Sequence, residues 1–251
     1  MAEFGAVLKE WRQIRRMSQM DLAMAAGVSA RHLSFLETGR ARPSRGMVLR
    51  LCEEMQVPGG GRNHLLTAAG MAPAYERRER EDAELAPLRE AVGYMLDKHA
   101  PYPAMALDRH WRLEAVNAPA GLLLGAVGLS IGGSLLQALT GNAALRQALE
   151  NLEEVEQHML SRLRTELAHF GRDPVLEAAV QTLQARVREP GGTLSAVIPA
   201  RYRLQGRVLS FFSTIAQFGS TGDLAMSELK VELMFPADAE TRQILLAMSG
   251  K

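Results

Sequence analysis

Residues Leu8–Arg45, LKEWRQIRRMSQMDLAMAAGVSARHLSFLETGRARPSR, constrain the fold of this 251-residue chain more than any other stretch. Their spacing predicts three short helices with a tight Ala-Gly-Val turn between the second and third. Leu8, Trp11, Arg12 and Arg15 space the first helix, with Trp11 in the core. Ser18 is placed to cap the second, and Asp21 falls in its first turn near the positive end of the helix dipole. Gly27 lies where the chain leaves that helix and supplies the positive φ such a turn needs. Ser29 caps the third helix, Leu33 and Leu36 face inward, and Gly39 ends it. Arg12 and Glu37 are positioned to pair between helices 1 and 3. Pro43 and Ser44 open a fourth helix running to about Gln56. PGGG at 58–61 is expected to break it before NHLLTAAG forms a short fifth. Together these signals describe a helix-turn-helix.

Charge is distributed unevenly around this motif. Residues 1–70 hold ten Lys/Arg against six Asp/Glu, about +4, while the remainder holds 19 against 22, about −3. A basic excess on a helix-turn-helix is the electrostatic footprint of nucleic-acid binding, because neutralised phosphates release counterions. In such a motif the second helix of the pair enters the major groove and its N-terminal residues meet base edges. The candidate reading face is therefore Ser29, Ala30, Arg31, His32, Ser34 and Phe35. Arg31 suits a bidentate pair with guanine, and Ala30 and Phe35 suit a thymine methyl group. Gln19, Arg40, Arg42 and Arg45 are placed for backbone phosphates.

After Ala72 the texture changes. PAYERRERED begins with proline, is charged and carries no apolar stripe, so residues 73–84 read as a linker between a domain at 1–72 and one at 85–251. In the second domain Pro103–Leu107 and Trp111–Val116 predict two strands around a turn at Asp108-Arg109-His110. Leu145, Leu149, Leu152, Val155, Met159, Leu163 and Leu167 recur as one long helix, with Glu150, Glu153, Glu154 and Glu156 early and Arg162 and Arg164 later. Asp173-Pro174 opens another helix, which PGG at 190–192 stops. Leu194–Leu204, Arg207–Phe218 and Glu228–Phe235 predict three more strands, the first two joined by Gln205-Gly206, and Pro199 places the first at an edge or bulge. Glu228, Lys230 and Glu232 alternate with Leu229, Val231, Leu233 and Phe235, which predicts one apolar and one wet face. The expected class is α+β overall, an all-α domain followed by an α+β domain with an antiparallel sheet.

The same residues exclude several functions. Ala115–Leu145 is free of charge, but glycines at 121, 125, 128, 132 and 133 with Ser130, Ser134 and Gln137 argue for a loop or buried helix over a membrane span. The single cysteine, Cys52, fits a reducing compartment, and MAEFGAVLKEW lacks the charge-then-apolar order of a secretory signal. A cytoplasmic protein without a membrane partner is expected. H-E-x-x-H, a P-loop and G-x-G-x-x-G after a strand are absent. The six histidines lie singly, and Glu154 and His158, one helical turn apart, read as an ion pair. Neither an enzyme nor a bound metal or cofactor is expected.

Q-x-D-L-A-x-x-A-G-V-S at Gln19–Ser29 and L-S-F-L-E-T-G-R-x-R-P-S at Leu33–Ser44 resemble the phage-repressor-like (Cro/XRE) helix-turn-helix regulators, whose fold is lambda-repressor-like. The family's Arg–Glu tie falls on Arg12 and Glu37. PYPAMALDRHWRLEAVNAPAGLLLG at 101–125, MLSRLRTEL at 159–167, LSFFSTIAQFG and ELKVELMFPAD resemble the ligand-binding domain of MmyB-like transcription regulators, a PAS-like fold. The two resemblances cover nearly the whole chain. They imply a one-component transcription regulator, acting as a homodimer on double-stranded DNA and sensing a small apolar or fatty-acid-like ligand. Leu107, Ile198, Tyr202, Phe212, Phe218, Leu229 and Val231 are candidate pocket residues, with Arg201, Tyr202 and Arg203 for an acidic head group. The alternative is a C-terminal domain that only dimerises or docks a protein, without a ligand.

Overall fold

The computed structural model describes residues 2–79, 82–187, 198–204, 206–219 and 222–248. They fall into two units: Met1–Arg77 with Arg164–Asp173 and Gly222–Leu224, and Arg78–Leu163 with Pro174–Thr221 and Ala225–Lys251.

Five helices open the chain: α1 (Ala2–Ile14), α2 (Gln19–Ala25), α3 (Ala30–Glu37), α4 (Arg45–Glu54) and α5 (Gly59–Ala68). Local chemistry sets their ends. The Ser18 hydroxyl accepts from the Asp21 N–H at 3.1 Å, and the Asp21 carboxylate accepts from the Ser18 N–H at 2.8 Å, a capping box at the start of α2. At α3 and α4 the Ser29 and Ser44 hydroxyls accept from the His32 and Met47 N–H groups. Gly27 and Gly39 leave α2 and α3 at φ of 65° and 72°, as the turns require. Phe4, Leu8, Trp11, Leu22, Leu33, Leu36, Leu51, Met55, Leu65 and Leu66 form one core. Cys52 lies inside it, and burial pushes its thiol up to about 12, so it stays protonated and inert.

The glycines of PGGG do not break a helix; they begin one. Pro58 is the N-cap of α5 and Gly59–Gly61 form its first turn. A β-carbon on Gly61 would stand 2.5 Å from the Trp11 ring, so the glycine lets α5 lie directly against α1. The break falls earlier, where Gln56 adopts a φ of 49°.

The chain continues through a 3-10 turn at Ala83–Leu85, α6 (Ala86–Lys98), β1 (Ala104–Leu107), β2 (Leu113–Val116), α7 (Ala118–Gly125), α8 (Leu135–Gly141), α9 (Ala143–Ala148), α10 (Leu152–Phe170) and α11 (Pro174–Gln184). It ends with β3 (Ala200–Leu204), β4 (Arg207–Gln217), α12 (Leu224–Ser227), β5 (Lys230–Pro236) and α13 (Ala239–Met248). The strands form one antiparallel sheet in the order β2-β1-β5-β4-β3, so the last strand in sequence lies at its centre. α6 covers one face, where Ala104, Ala106 and Val231 meet Leu85, Val92 and Leu96. Asn117 pins the start of this unit. Its side-chain oxygen accepts from the N–H groups of Ala104 and Ala120, and its amide donates to the carbonyls of Leu96 and Tyr102.

Two expectations change here. The apolar repeat from Leu145 to Leu167 does not run as one helix; it is split into α9 and α10 by Leu149–Asn151. Those residues satisfy the outer edge of β3 instead: the Glu150 N–H donates to the Arg201 carbonyl, the Arg201 N–H to the Asn151 side-chain oxygen, and the Asn151 amide to the Pro199 carbonyl. β3 is thus an edge strand beginning just after Pro199, and the helix gives up a turn to close its edge. Trp111, expected in a strand, belongs to the turn at φ 61°. Asp108 holds that turn by accepting from the N–H groups of His110 and Arg112. The Gln205 half of the β3–β4 turn, residues 194–197 and the 190–192 stop lie outside the described residues; Leu204 stands opposite Arg207. No helix among the described residues is long and apolar enough to cross a membrane.

Candidate functional sites

The α2–α3 pair presents a polar, basic surface. Leu33, Leu36 and Glu37 face the core of α3, which leaves Arg31 exposed and His32, Ser34 and Phe35 half-buried beside it. The Arg31 guanidinium lies over the Phe35 ring at 5.3 Å, so the two side chains form one patch on the outer face. Arg40 and Arg42 are exposed just beyond. Ser29 spends its hydroxyl on the His32 N–H, and Ala30 packs partly against the core. Gln19 and Arg45 also have partners within this unit. The Gln19 amide donates to Glu37 at 2.8 Å, and the Arg45 guanidinium to the carbonyls of Ala72 and Pro73, so both serve the fold of this unit. Arg12 and Glu37 meet as expected, Nε to Oε1 at 2.6 Å, inside the core.

The sheet face opposite α6 carries a cavity of about 290 Å³, near the lower end of the ~300–1,000 Å³ usual for ligand sites. Leu123, Leu124, Leu139, Leu145 and Leu149 from the α7–α9 region supply one wall, and Met105, Phe211 and Met234 from the strands another. α10 lines it with Val155, His158, Met159 and Arg162, positions one and two turns apart on a single stripe. Trp111 enters from its turn, with the Arg162 guanidinium 4.8 Å from its ring.

Of the expected pocket residues, Ile198, Tyr202 and Phe212 line this cavity. Leu107 is fully buried elsewhere in the sheet, and Val231, Leu229 and Phe218 pack into the core under α6, because strand alternation sends them to the other face. Arg201 and Arg203 are ion-paired with Glu154 and Glu150 on the β3 edge and do not line it. Nor does Glu154 pair with His158 across one turn.

The face of β5 expected to be wet is covered at Lys230 and half-buried at Glu232. Lys230 is 1% exposed, its ammonium 4.2 Å from the Trp111 ring centre and donating to the Arg109 carbonyl, and Glu232 lines the cavity. The aromatic ring and the carbonyl are among the groups that stand in for the water a cation would otherwise keep. Glu232 accepts from the Ser213 hydroxyl at 2.6 Å. Desolvation raises the Tyr202 phenol above its ordinary range, and the Glu232 charge raises it further, so Tyr202 is a hydroxyl donor. Burial and the Arg162 charge depress His158, while Glu232 works the other way. NMR titration of the His158 ring is therefore expected to give an apparent pKa below 6.5, rising in Arg162→Met and falling further in Glu232→Gln. A value that neither substitution moves would separate these side chains.

Gly128-Leu129-Ser130-Ile131-Gly132 has the G-x-S-x-G spacing of a hydrolase nucleophile. Ser130 is exposed in the turn after α7, between glycines at φ 72° and 84°, whereas that chemistry needs a strand-to-helix elbow. No group of three metal-ligating side chains occurs among the described residues.

Family models match stretches in both units. A helix-turn-helix domain model matches residues 3–65, and the model of the MmyB-like transcription regulator ligand binding domain matches residues 88–248. Uncharacterized HTH-type transcriptional regulators of Mycobacterium tuberculosis (strain ATCC 25618 / H37Rv) and Mycobacterium bovis are each 30% identical over 125 residues, 45% of this chain and 45% of theirs. The HTH-type transcriptional regulator RghRB of Bacillus subtilis (strain 168), also described as uncharacterized, is 32% identical over 85 residues, 34% of this chain and 59% of that protein. The match thus spans about half the length of these relatives. Among solved structures, an RNA-binding light-oxygen-voltage receptor aligns with all of this chain and 64% of its own at 12% identity and a TM-score of 0.27, too distant to bear on the fold. The ligand-binding-domain match alone covers well over half of the chain, so this protein belongs to the MmyB-like transcription regulators, with a helix-turn-helix domain at its N-terminal side.

Proposed function

We propose that the protein is a cytoplasmic one-component regulator that reads a pseudo-palindromic operator as a homodimer and changes its DNA affinity when a small apolar or fatty-acid-like molecule enters the cavity of its PAS-like second unit. The cavity carries this reading. It lies within the stretch matched by the ligand-binding domain, and leucine, methionine and aromatic side chains dominate its walls around a few polar groups. Half-sites of such a dimer lie about one helical turn, roughly 34 Å, apart. A ligand switches the protein only to the extent that it prefers one of two arrangements.

Operators selected from a random DNA pool supply the test. With wild-type protein, operator affinity measured by fluorescence anisotropy changes at least fivefold when an extract of small apolar molecules from the host is added. Arg31→Ala loses about 1–3 kcal/mol at one base position and relaxes the selected sequence there. Arg40→Ala weakens all sequences alike and lowers the salt slope by about one. An extract without effect, with a stable dimer formed through the second unit, would instead favour a docking or dimerisation module.

A further inference from the structure

We infer that this cavity is one half of a longer trough, that a second, apolar cavity continues it as the compartment for a ligand's tail, and that Leu123 between them governs the chain length accepted, about sixteen carbons. The inference rests on the fatty-acid-like ligand proposed above and names the length of its chain.

The second cavity encloses about 240 Å³, and alanine, proline, leucine and methionine supply its whole lining. Three strands show that it continues the first. At β1, Met105 lines the first cavity and Pro103, two residues back, lines the second; the Met234 N–H donates to the Pro103 carbonyl, so the ladder reaches that far. On β4 the corresponding pair is Phe211 and Leu209, and on β3 it is Tyr202 and Leu204. Residues two apart on a strand share a face and lie about 7 Å apart along it. β1 and β4 both run antiparallel to β5, and β3 runs antiparallel to β4, so all three steps point the same way along one face of the sheet. Only Leu123 of α7 belongs to both linings, and it is 8% exposed. Its side chain is the septum.

Polarity orients the ligand in this trough. His158, Arg162, Tyr202, Ser213 and Glu232 line the first cavity and no polar side chain lines the second, so a polar head belongs in the first and a tail in the second. Size then fixes the length. If each heavy atom of a ligand takes the ~30 Å³ that a water occupies in the liquid, about 290 Å³ seats roughly ten atoms and about 240 Å³ roughly eight. Octanoate, with ten heavy atoms, fills the first cavity alone, whereas hexadecanoate, with eighteen, fills both. At the outer end Leu122 and Met248 are 63% and 57% exposed, so a longer chain runs into solvent and gains no further burial.

The test compares octanoate, dodecanoate and hexadecanoate, each below its micellar concentration, on full-length protein by isothermal calorimetry at neutral pH. A buried methylene strengthens binding by up to about fourfold, so hexadecanoate is expected to bind wild-type protein at least a hundredfold tighter than octanoate, with dodecanoate between them. Two substitutions close the second cavity: Leu123→Trp at the septum, and Ala118→Trp, at an exposed position of the second lining where the fold tolerates bulk. Each is expected to lower the ratio of hexadecanoate to octanoate affinity at least tenfold, with the circular-dichroism spectrum unchanged. Octanoate binding as tightly as hexadecanoate to the wild-type protein, or a ratio that Ala118→Trp leaves intact, overturns the inference and leaves the ligand site standing. Binding by none of the three acids removes the fatty-acid-like reading, and this inference with it.

Discussion

Glu37→Leu is expected to destabilise the helix-turn-helix unit by about 3–5 kcal/mol, because it strands a buried guanidinium. The Arg12 and Glu37 side chains are 11% and 2% exposed, and they meet through two hydrogen bonds of 2.6 and 3.0 Å. Glu37 also accepts from Gln19, and the third nitrogen of Arg12 donates to the Met17 carbonyl. The bonds to Glu37 raise the Arg12 pKa against the pull of burial, so the guanidinium cannot escape by losing its proton. One carboxylate therefore ties α1, the α1–α2 connection, the start of α2 and the end of α3. Removing both charges is a different matter. Arg12→Met/Glu37→Leu is expected to cost about 1–2 kcal/mol, since an apolar pair of similar size fits the surrounding leucines and only the Gln19 amide and Met17 carbonyl lose partners. Hydrogen-exchange protection of α1 and α3 amides in the full-length protein measures both. Additivity, with the double variant as damaged as the sum of the singles, would mean that the pair acts as two unrelated contacts.

The first unit was legible in sequence because its instructions are local. Ser18 and Asp21, or Ser29 and the His32 N–H, are three residues apart, and Gly27 and Gly39 stand where the backbone turns left-handed. Even the Arg12–Glu37 tie follows once two helices are placed and two charges fall on facing sides. PGGG misled because a glycine that removes side-chain bulk and one that ends a helix look alike in sequence. Only the Trp11 ring against Gly61 tells them apart.

In the second unit the strands were legible but the cavity was not. Alternation on β5 correctly separated Lys230 and Glu232 from Leu229, Val231 and Leu233, yet whether their face meets water depends on what packs over it, and Trp111 and the α10 residues that do so are far away in sequence. The break at Leu149–Asn151 has the same origin, a helix interrupted by hydrogen bonds to a strand about 50 residues away in sequence. One cavity signal did lie in the sequence, the stripe of Val155, His158, Met159 and Arg162, but a core stripe has the same period.

Trp111→Ala is expected to cost about 3–5 kcal/mol, the usual range for a large buried aromatic, and to abolish binding in the cavity. The indole is 2% exposed and is flanked by two cations, the Lys230 ammonium at 4.2 Å and the Arg162 guanidinium at 4.8 Å from its centre. Lys230 is itself almost fully buried, so losing the ring removes one of the groups, beside the Arg109 carbonyl, that stand in for its water. Alanine also keeps the left-handed backbone of this position, worth about 1–2 kcal/mol of strain, while losing the contacts that compensated for it. Trp111→Phe separates these effects. It preserves the backbone and an aromatic face for Lys230 but leaves part of the indole volume empty, so a loss of about 1–2 kcal/mol is expected. Urea unfolding followed by far-ultraviolet circular dichroism measures the series, and Lys230→Met in the Trp111→Ala background isolates the cation. If the burial of Lys230 depends on the indole, that second change restores at least 1 kcal/mol of stability, because it removes a buried charge that has lost one of its partners. A double variant no more stable than Trp111→Ala would show that the indole acts through its volume alone.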